Sequence, residues 1–402
     1  MPRTALALTL ALTPALLAAD WPQFLGPTRD SASPETVSPW KDPPKVLWRQ
    51  PVGAAHSSPV VAGGVVYAFF KPKGKDADAL AAFDATTGEK KWEKSYDREK
   101  FSPPYGVGPR GTPAVDGGKV YTLGNTGVLA CWDAKTGDVV WKVDTLKEFN
   151  AKNLFFGVST SPTVVGDLVV VMVGGKGAGI VAFDKTTGKV AWKATDDPAS
   201  YASPLPLGKG DDARLVFLTG SHLRALTAGG KELWAVPFKD KLNESSTTPV
   251  KAGDLIVGSS VTAGSIAVRP GDKPEVVWKD EKLTCYFSTP VVVGPHLYMV
   301  NGAASLFNPS ITLRCVEAAT GKVLWSQAKV GKYHAALLRT GDNKLLMLDD
   351  AGSLMLLQPD PAGYKELCRS KVCGATWAHP ALSDGRVYVR DEKELICLKI
   401  AE

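Results

Sequence analysis

No stretch of this chain is long and apolar enough to span a bilayer as a helix, so no transmembrane segment is expected. Charge of one sign is not concentrated anywhere. The 47 Lys and Arg stand against 41 Asp and Glu, scattered along the chain for a formal +6. A dispersed excess of that size describes a solvated surface, and no nucleic-acid partner is expected. Histidine is scarce, with five in 402 residues, and the six cysteines never form an adjacent pair. Residues 1–19 carry no charge after Arg3 and run apolar from Thr4 to Leu17, which fits a secretory signal peptide. No cysteine follows that run, so no lipid-anchor site is read there. The protein is therefore expected to be exported, to the periplasm or outside the cell.

What the chain does have is tryptophan at nearly even spacing. Trp48, Trp92, Trp141, Trp192, Trp234, Trp278 and Trp325 follow one another at intervals from 42 residues (Trp192 to Trp234) to 51 (Trp141 to Trp192). One further step lands near Leu367. A period of that length with four strand-like runs per unit predicts the blades of a β-propeller. The unit is cleanest between Thr160 and Trp192. Ser161-Pro162 opens an innermost strand, where proline is tolerated at the first position. Gly166-Asp167 makes a tight hairpin into the second strand, and the third ends in Asp184-Lys-Thr-Thr-Gly188, with the Asp as turn cap. Trp192 lies on the fourth strand and is expected to pack across the seam to the neighbouring blade.

Inner-strand openings occur at Ser58-Pro59, Thr112-Pro113, Ser161-Pro162, Ser203-Pro204, Thr248-Pro249, Thr289-Pro290, Ala335-Ala336 and His379-Pro380. The expected fold is all-β: an eight-bladed propeller of four-stranded antiparallel blades over residues 45–402. Its last unit has only three strands, and the segment around Trp48 supplies the fourth, closing the ring and removing a free sheet edge. A Pro-rich lead, residues 20–44, is expected to lie across the outside. Cys131, Cys315 and Cys397 occupy the position that Ala82 holds in blade 1, which reads as a small buried side chain. Cys368 and Cys373 are the best disulfide candidates, and Cys285 has no evident partner.

The unit Ser/Thr-Pro…Ala-Phe-Asp-x-x-Thr-Gly-x-x-x-Trp resembles the pyrroloquinoline-quinone-like repeat, over Lys45 to Ile400. That repeat is shared by quinoprotein alcohol dehydrogenases and by the scaffold lipoprotein of outer-membrane β-barrel assembly. The lead, Asp20-Trp-Pro-Gln-Phe-Leu-Gly-Pro, is similar to a subgroup of exported bacterial propellers. The assembly-scaffold resemblance implies a protein partner, although this chain departs from it in having no anchor cysteine. The dehydrogenase resemblance implies a quinone between stacking faces, a calcium held by carboxylate and amide oxygens, and adjacent cysteines over the cofactor. No such cysteine pair is present, and no Asp or Glu set matches the calcium ligands. Asp84, Asp133 and Asp184 all fall at the turn position.

Chemistry is expected where loops enter the innermost strands, around the mouth of the central channel. Insertions at Phe70–Ala79, Glu93–Arg110, Lys142–Ser159 and Asn301–Ser310 mark that face. Three residues before each opening proline the ring reads His56, Arg110, Ser159, Tyr201, Ser246, Phe287, His334 and Trp377, with Leu337 aligned to the proline that blade 7 lacks. His379 lies two residues further in. The ring mixes hydrogen-bonding, cationic and aromatic types while the scaffold positions repeat. Two readings follow: a ligand pocket with Trp377 and Tyr201 as faces and Arg110 as anion contact, or lining that satisfies carbonyls and channel water. A metal on His56, His334 and His379 is a further arrangement, against which stands the lack of a nearby carboxylate. The expected function is non-catalytic binding of a protein, peptide or small polar ligand, with no cofactor. The alternative is a quinone- or metal-dependent oxidoreductase.

Overall fold

The computed structural model describes residues 20–302 and 309–400; the expected signal peptide and most of the Asn301–Ser310 insertion lie outside them. Eight sheets of four antiparallel strands form the blades of a propeller. Among the described residues, no helix is long and apolar enough to cross a membrane. One short helix, Thr145–Glu148, sits in the insertion before blade 3. The strand Lys45–Pro51 pairs with Glu394–Lys399 as the outer strand of blade 8, with Trp48 opposite Cys397. The two ends of the propeller thus share one sheet, as the strand count required.

Register explains the repeat. Each repeat tryptophan lies opposite a small residue on the third strand: Trp92 faces Ala82, Trp141 faces Cys131, Trp192 faces Ala182, and Trp325 faces Cys315. A bulge follows in every case, between that small residue and its successor. The indole N–H then crosses the seam. Trp48 donates to the Ala85 carbonyl at 3.1 Å, Trp92 to Ala134 at 3.2 Å, Trp141 to Lys185 at 3.1 Å and Trp278 to Ala318 at 2.9 Å. Each acceptor follows the turn residue of the next blade. There Asp84, Asp133 and Asp184 cap the turns by accepting two backbone N–H groups each.

The Thr-Gly glycine serves two purposes. Gly188 has φ +71°, and a Cβ there would stand 2.6 Å from Cδ2 of Trp141. Gly188→Ala is therefore expected to cost about 1–3 kcal/mol through left-handed strain and displacement of the indole. A urea unfolding midpoint unchanged from wild type would contradict that account.

Blade 7 breaks the pattern in a compensated way. Its register puts Cys368, not Leu367, at the tryptophan position, facing Leu356 where other blades have Ala or Cys. The large and small partners have exchanged sides. Cys368 and Cys373 do not form a disulfide, and all six cysteines are free. The strand Glu366–Lys371 alone carries the chain about 10 Å beyond Cys368, farther than a disulfide spans. Cys131 and Cys397 fill the small position as expected, and burial pushes their thiols up to about 11 and about 12.

Five of the hydroxyls before the opening prolines have a structural task that the sequence alone does not announce, while that of Thr248 has no partner among the described residues. The backbone N–H of His379 donates to Ser58 Oγ (2.9 Å), that of Ser58 to Thr112 Oγ1 (3.0 Å) and that of Thr112 to Ser161 Oγ (3.0 Å). Ser161 donates to Ser203 Oγ (2.9 Å), and Thr248 to Thr289 Oγ1 (3.1 Å). Neighbouring blades are stitched together around the channel by this relay.

Only the end of the lead lies on the outside, where Trp40 donates to Ser370 on the outer strand of blade 7 at 2.9 Å; the rest runs under the inner strands. Trp21 exchanges backbone hydrogen bonds with Val61, and Pro22 accepts from Val115, so the chain enters beneath the inner strands of blades 1 and 2. It crosses to blade 7, where Arg339 exchanges bonds with Ser31 and Ser33, and the Glu35 carboxylate caps the blade 8 hairpin at Asp384 and Gly385. Inner strands line a channel with unpaired edge groups, and a segment that satisfies them is held more firmly than one on a blade's outer face. The lead closes the hairpin side of the channel, leaving the opposite mouth as a funnel.

Candidate functional site

Each ring residue sits on the connection from the outer strand of one blade to the inner strand of the next, where eight extended segments converge on the axis. Blade 7 follows the alignment assumed for it. Leu338 pairs with Leu346 as Val60 pairs with Tyr67, which puts Leu337 at the proline position and His334 in the ring. One cavity of about 120 Å³ is lined by His56, Arg110, Ser159, Tyr201, Ser246, Phe287, His334 and Trp377, together with His379. All nine candidate residues are thus gathered in one place.

Five further lining residues escaped the sequence reading: Phe24, Phe156, Ser58, Ser161 and Ser203. The serines belong to the repeated scaffold, so a search for positions that vary passed over them. Phe24 reaches the cavity because the lead plugs the channel, and its ring meets His379 edge-on with centroids 5.1 Å apart.

Trp377 is the hub of the aromatic wall. His56 stacks on it at 5.2 Å and Phe287 lies at 5.0 Å, while Tyr333 and Tyr105 both approach to 5.8 Å. Tyr105 is the second omission. It stands on the long loop between blades 1 and 2 and reaches across the mouth to Phe156 (6.3 Å) and Tyr333 (6.1 Å). Two guanidinium groups hold this lid. Arg110 donates to the carbonyls of Pro104, Tyr105 and Gly106, and Arg98 to that of Val107, with Asp78 buried against Arg98 at 2.9 Å. His56 Nε2 bonds the Tyr105 carbonyl. Beyond the lid lies an outer groove of about 510 Å³ between Tyr105, Gly374–Trp377 and Asp391–Lys393, with His56 and Trp377 lining both spaces.

Burial favours the neutral form of the three cavity histidines. Burial pushes His334 and His379 down to about 3, each assisted by a neighbouring histidine. Burial and the Arg110 charge push His56 down to about 4. The three do not converge as metal ligands: His56 is committed to the Tyr105 carbonyl, and His334 meets His379 edge to face at 5.3 Å. Among the described residues no cluster of His, Cys, Asp and Glu is disposed to hold a metal. Ser159 and Ser246 donate to the carbonyls of Gly157 and Tyr286, while the Tyr201 hydroxyl accepts from the Phe156 N–H.

The profile of the family described as outer membrane protein assembly factor BamB matches residues 33–103 and 76–327, well over half of the chain. The chain is 23% identical over 258 residues to the BamB of Shewanella oneidensis, covering 60% of this chain and 61% of that one. It is 27% identical over 312 residues to quinohemoprotein alcohol dehydrogenase ADH-IIG of Pseudomonas putida, covering 68% of this chain but 42% of the dehydrogenase. It thus spans less than two thirds of the length of either relative. Among solved structures, BamB from Moraxella catarrhalis superposes with a TM-score of 0.61 at 15% identity, over 88% of this chain and 97% of that one. The quinohemoprotein alcohol dehydrogenase of Comamonas testosteroni gives 0.67 at 14% identity, over 95% and 80%. Those likenesses establish the propeller fold. Taken with the profile match and the blade grammar, they show that the chain belongs to the BamB family of pyrroloquinoline-quinone-like repeat propellers.

Proposed function

We propose that the protein is an exported, non-catalytic propeller that binds a protein, peptide or small ligand at its funnel, through a group the size of one side chain. The observation that carries this reading is the aromatic-walled cavity of about 120 Å³ that opens past His56 and Trp377 into a larger groove. Relatives named as assembly factors favour a protein partner.

The dehydrogenase reading asks for more than these residues offer. A fused-ring quinone needs a pocket in the usual ligand range of about 300–1,000 Å³. Calcium needs six to eight oxygen ligands, carboxylates among them, and no carboxylate lines this cavity. The inner cavity meets neither requirement, which weighs against a quinone seated there.

Two measurements test the proposal. Protein mixed with pyrroloquinoline quinone and calcium is expected to reduce no dye with alcohols or sugars; turnover that Trp377→Ala abolishes overturns the non-catalytic reading. In ligand-observed NMR, single-ring fragments are expected to bind wild type and to lose binding in Trp377→Ala. If no single-ring compound binds, the cavity is not the recognition site.

A further inference from the structure

Buried arginines elsewhere in this protein have carboxylate partners. Arg98 meets Asp78 at 2.9 Å and Arg224 meets Asp197 at 2.8 Å. Three others, the buried Arg29 and Arg390 and the half-buried Arg110, are bonded without one. Arg29, on the lead, is fully buried; its Nη1 reaches the Gln23 side-chain oxygen and the Pro162 carbonyl, while Nε and Nη2 have no partner among the described residues. Arg390, 1% exposed, is held by the carbonyls of Gly53, Phe69 and Asp391. Arg110 lines the cavity and gives both terminal nitrogens to loop carbonyls.

Carboxylates near the funnel are committed elsewhere. Glu244 accepts from the Tyr286 hydroxyl, Asp350 from the N–H groups of Lys332 and Tyr333, and Asp391 from those of Gly374, Lys393 and Glu394. Carbonyl dipoles offset part of the desolvation of these cations, and an incoming negative charge would offset more. Burial pulls Arg29 down to about 9 and Arg110 to about 10, a strain that an anion relieves.

The cavity is also two-sided. Arg110, Ser159 and Ser161 enter it at the openings of blades 2 and 3, beside Phe156, whereas Phe287 enters at blade 6, across the ring from blade 2, and reaches Trp377 of blade 8 with centroids 5.0 Å apart. At about 120 Å³ it is slightly smaller than the apolar cavity of about 150 Å³ that takes up benzene, so one six-membered ring, with its substituent directed to the open mouth, is the most it can hold.

We infer that the inner cavity is a subsite for an aromatic carboxylate, with its ring against Trp377 and Phe287 and its acid group toward Arg110 and the serines of blade 3. This inference rests on the binding reading above. The acid has two sources of the same chemistry: a free benzoate-type molecule, or the chain end of a peptide whose last residue is aromatic. In both cases the remainder extends past His56 and Trp377 into the outer groove.

Calorimetric titration of the full chain with benzoate, benzamide and benzylamine tests the charge requirement. Benzoate is expected to bind at least about tenfold more tightly than benzamide, with benzylamine weakest, because a charge-assisted hydrogen bond is about twice as strong as a neutral one. Arg110→Met is expected to remove that preference. Since Arg110 also holds the lid, Arg29→Met serves as the second variant: Arg29 does not line the cavity but bonds the Pro162 carbonyl next to Ser161, so the change leaves the lid contacts in place and is expected to weaken benzoate through loss of a nearby charge, by less than Arg110→Met, without changing benzamide. Acetyl-Gly-Gly-Phe as free acid and as amide separates the sources. Binding of the free acid above benzoate assigns the site to chain ends, and benzoate alone assigns it to small acids. Equal affinity for benzamide, or benzoate binding indifferent to both arginine changes, overturns the inference while leaving the funnel as a binding site. Failure of all three single-ring probes overturns the inference, and the fragment experiment above then decides the broader reading.

Discussion

Moving from pH 7 to pH 5 is expected to destabilise the protein by about 3–4 kcal/mol, mostly through His334 and His379, with a further share from the less buried His56. His334 and His379 are 3% and 7% exposed, and burial pushes both from the ordinary 6.5 down to about 3. The unfolded chain takes up these protons below pH 6.5, and the folded one does so only near pH 3. Their contribution is therefore complete above 6.5 and drains away as pH falls toward 3. Each group changes stability by at most about 1.4 kcal/mol per pH unit. Asp78 works the other way. Burial raises its carboxyl from 3.8 to about 6, so it favours the folded state as pH falls from 6 toward 4 and offsets one histidine in part. Asp84 and Asp133, held down to about 2 by turn hydrogen bonds and lysines, respond only below their ordinary 3.8. Urea midpoints at pH 5, 6 and 7 measure the slope. In the double variant His334→Asn, His379→Asn it is expected to flatten or reverse; a wild-type profile already flat over that range would remove the histidines from the account.

The same two histidines show how far the sequence could be read. His334 was placed in the ring by aligning a blade with no proline, and strand register justified that alignment. What the repeat encodes is local: the hairpin glycines, the turn-capping aspartates, the small residue opposite each tryptophan. These follow from strand geometry and recur in most blades, so their expected positions are close. The miss at Leu367 was a single residue, because counting along a period cannot see the bulge that sets the register to Cys368.

The non-repeating parts were less legible. Nothing in Asp20–Pro44 signals which edge its backbone will satisfy, so the plug and its Phe24 emerged only in three dimensions. Tyr105 carries a positive φ of 60° in a long insertion, a conformation that no pattern in the sequence announces. Arg110 was identified as facing the cavity, but its hold on the lid depends on three carbonyls of its own loop. Propeller frames are readable because they repeat, and their sites are less so because they do not.

Ring closure gives the second large effect. Trp48→Ala is expected to cost about 3–5 kcal/mol, and Trp192→Ala about half of that, although the two occupy the same repeat position. Trp48 is 7% exposed, with its indole N–H on Ala85, its ring 5.9 Å from Tyr388 and its atoms where a Cβ on Gly88 would stand. Trp192 is only half-buried, so part of its ring area is already in water and less is lost on truncation. A second difference lies in the chain. The seam beside Trp192 joins blades that also follow one another directly along the backbone, whereas the blade 8 sheet is completed by a segment some 345 residues away from its partner strand (Arg49 to Glu394). Thermal unfolding of the two variants side by side measures the difference. Equal losses would show that all seams contribute alike and that closure adds nothing of its own.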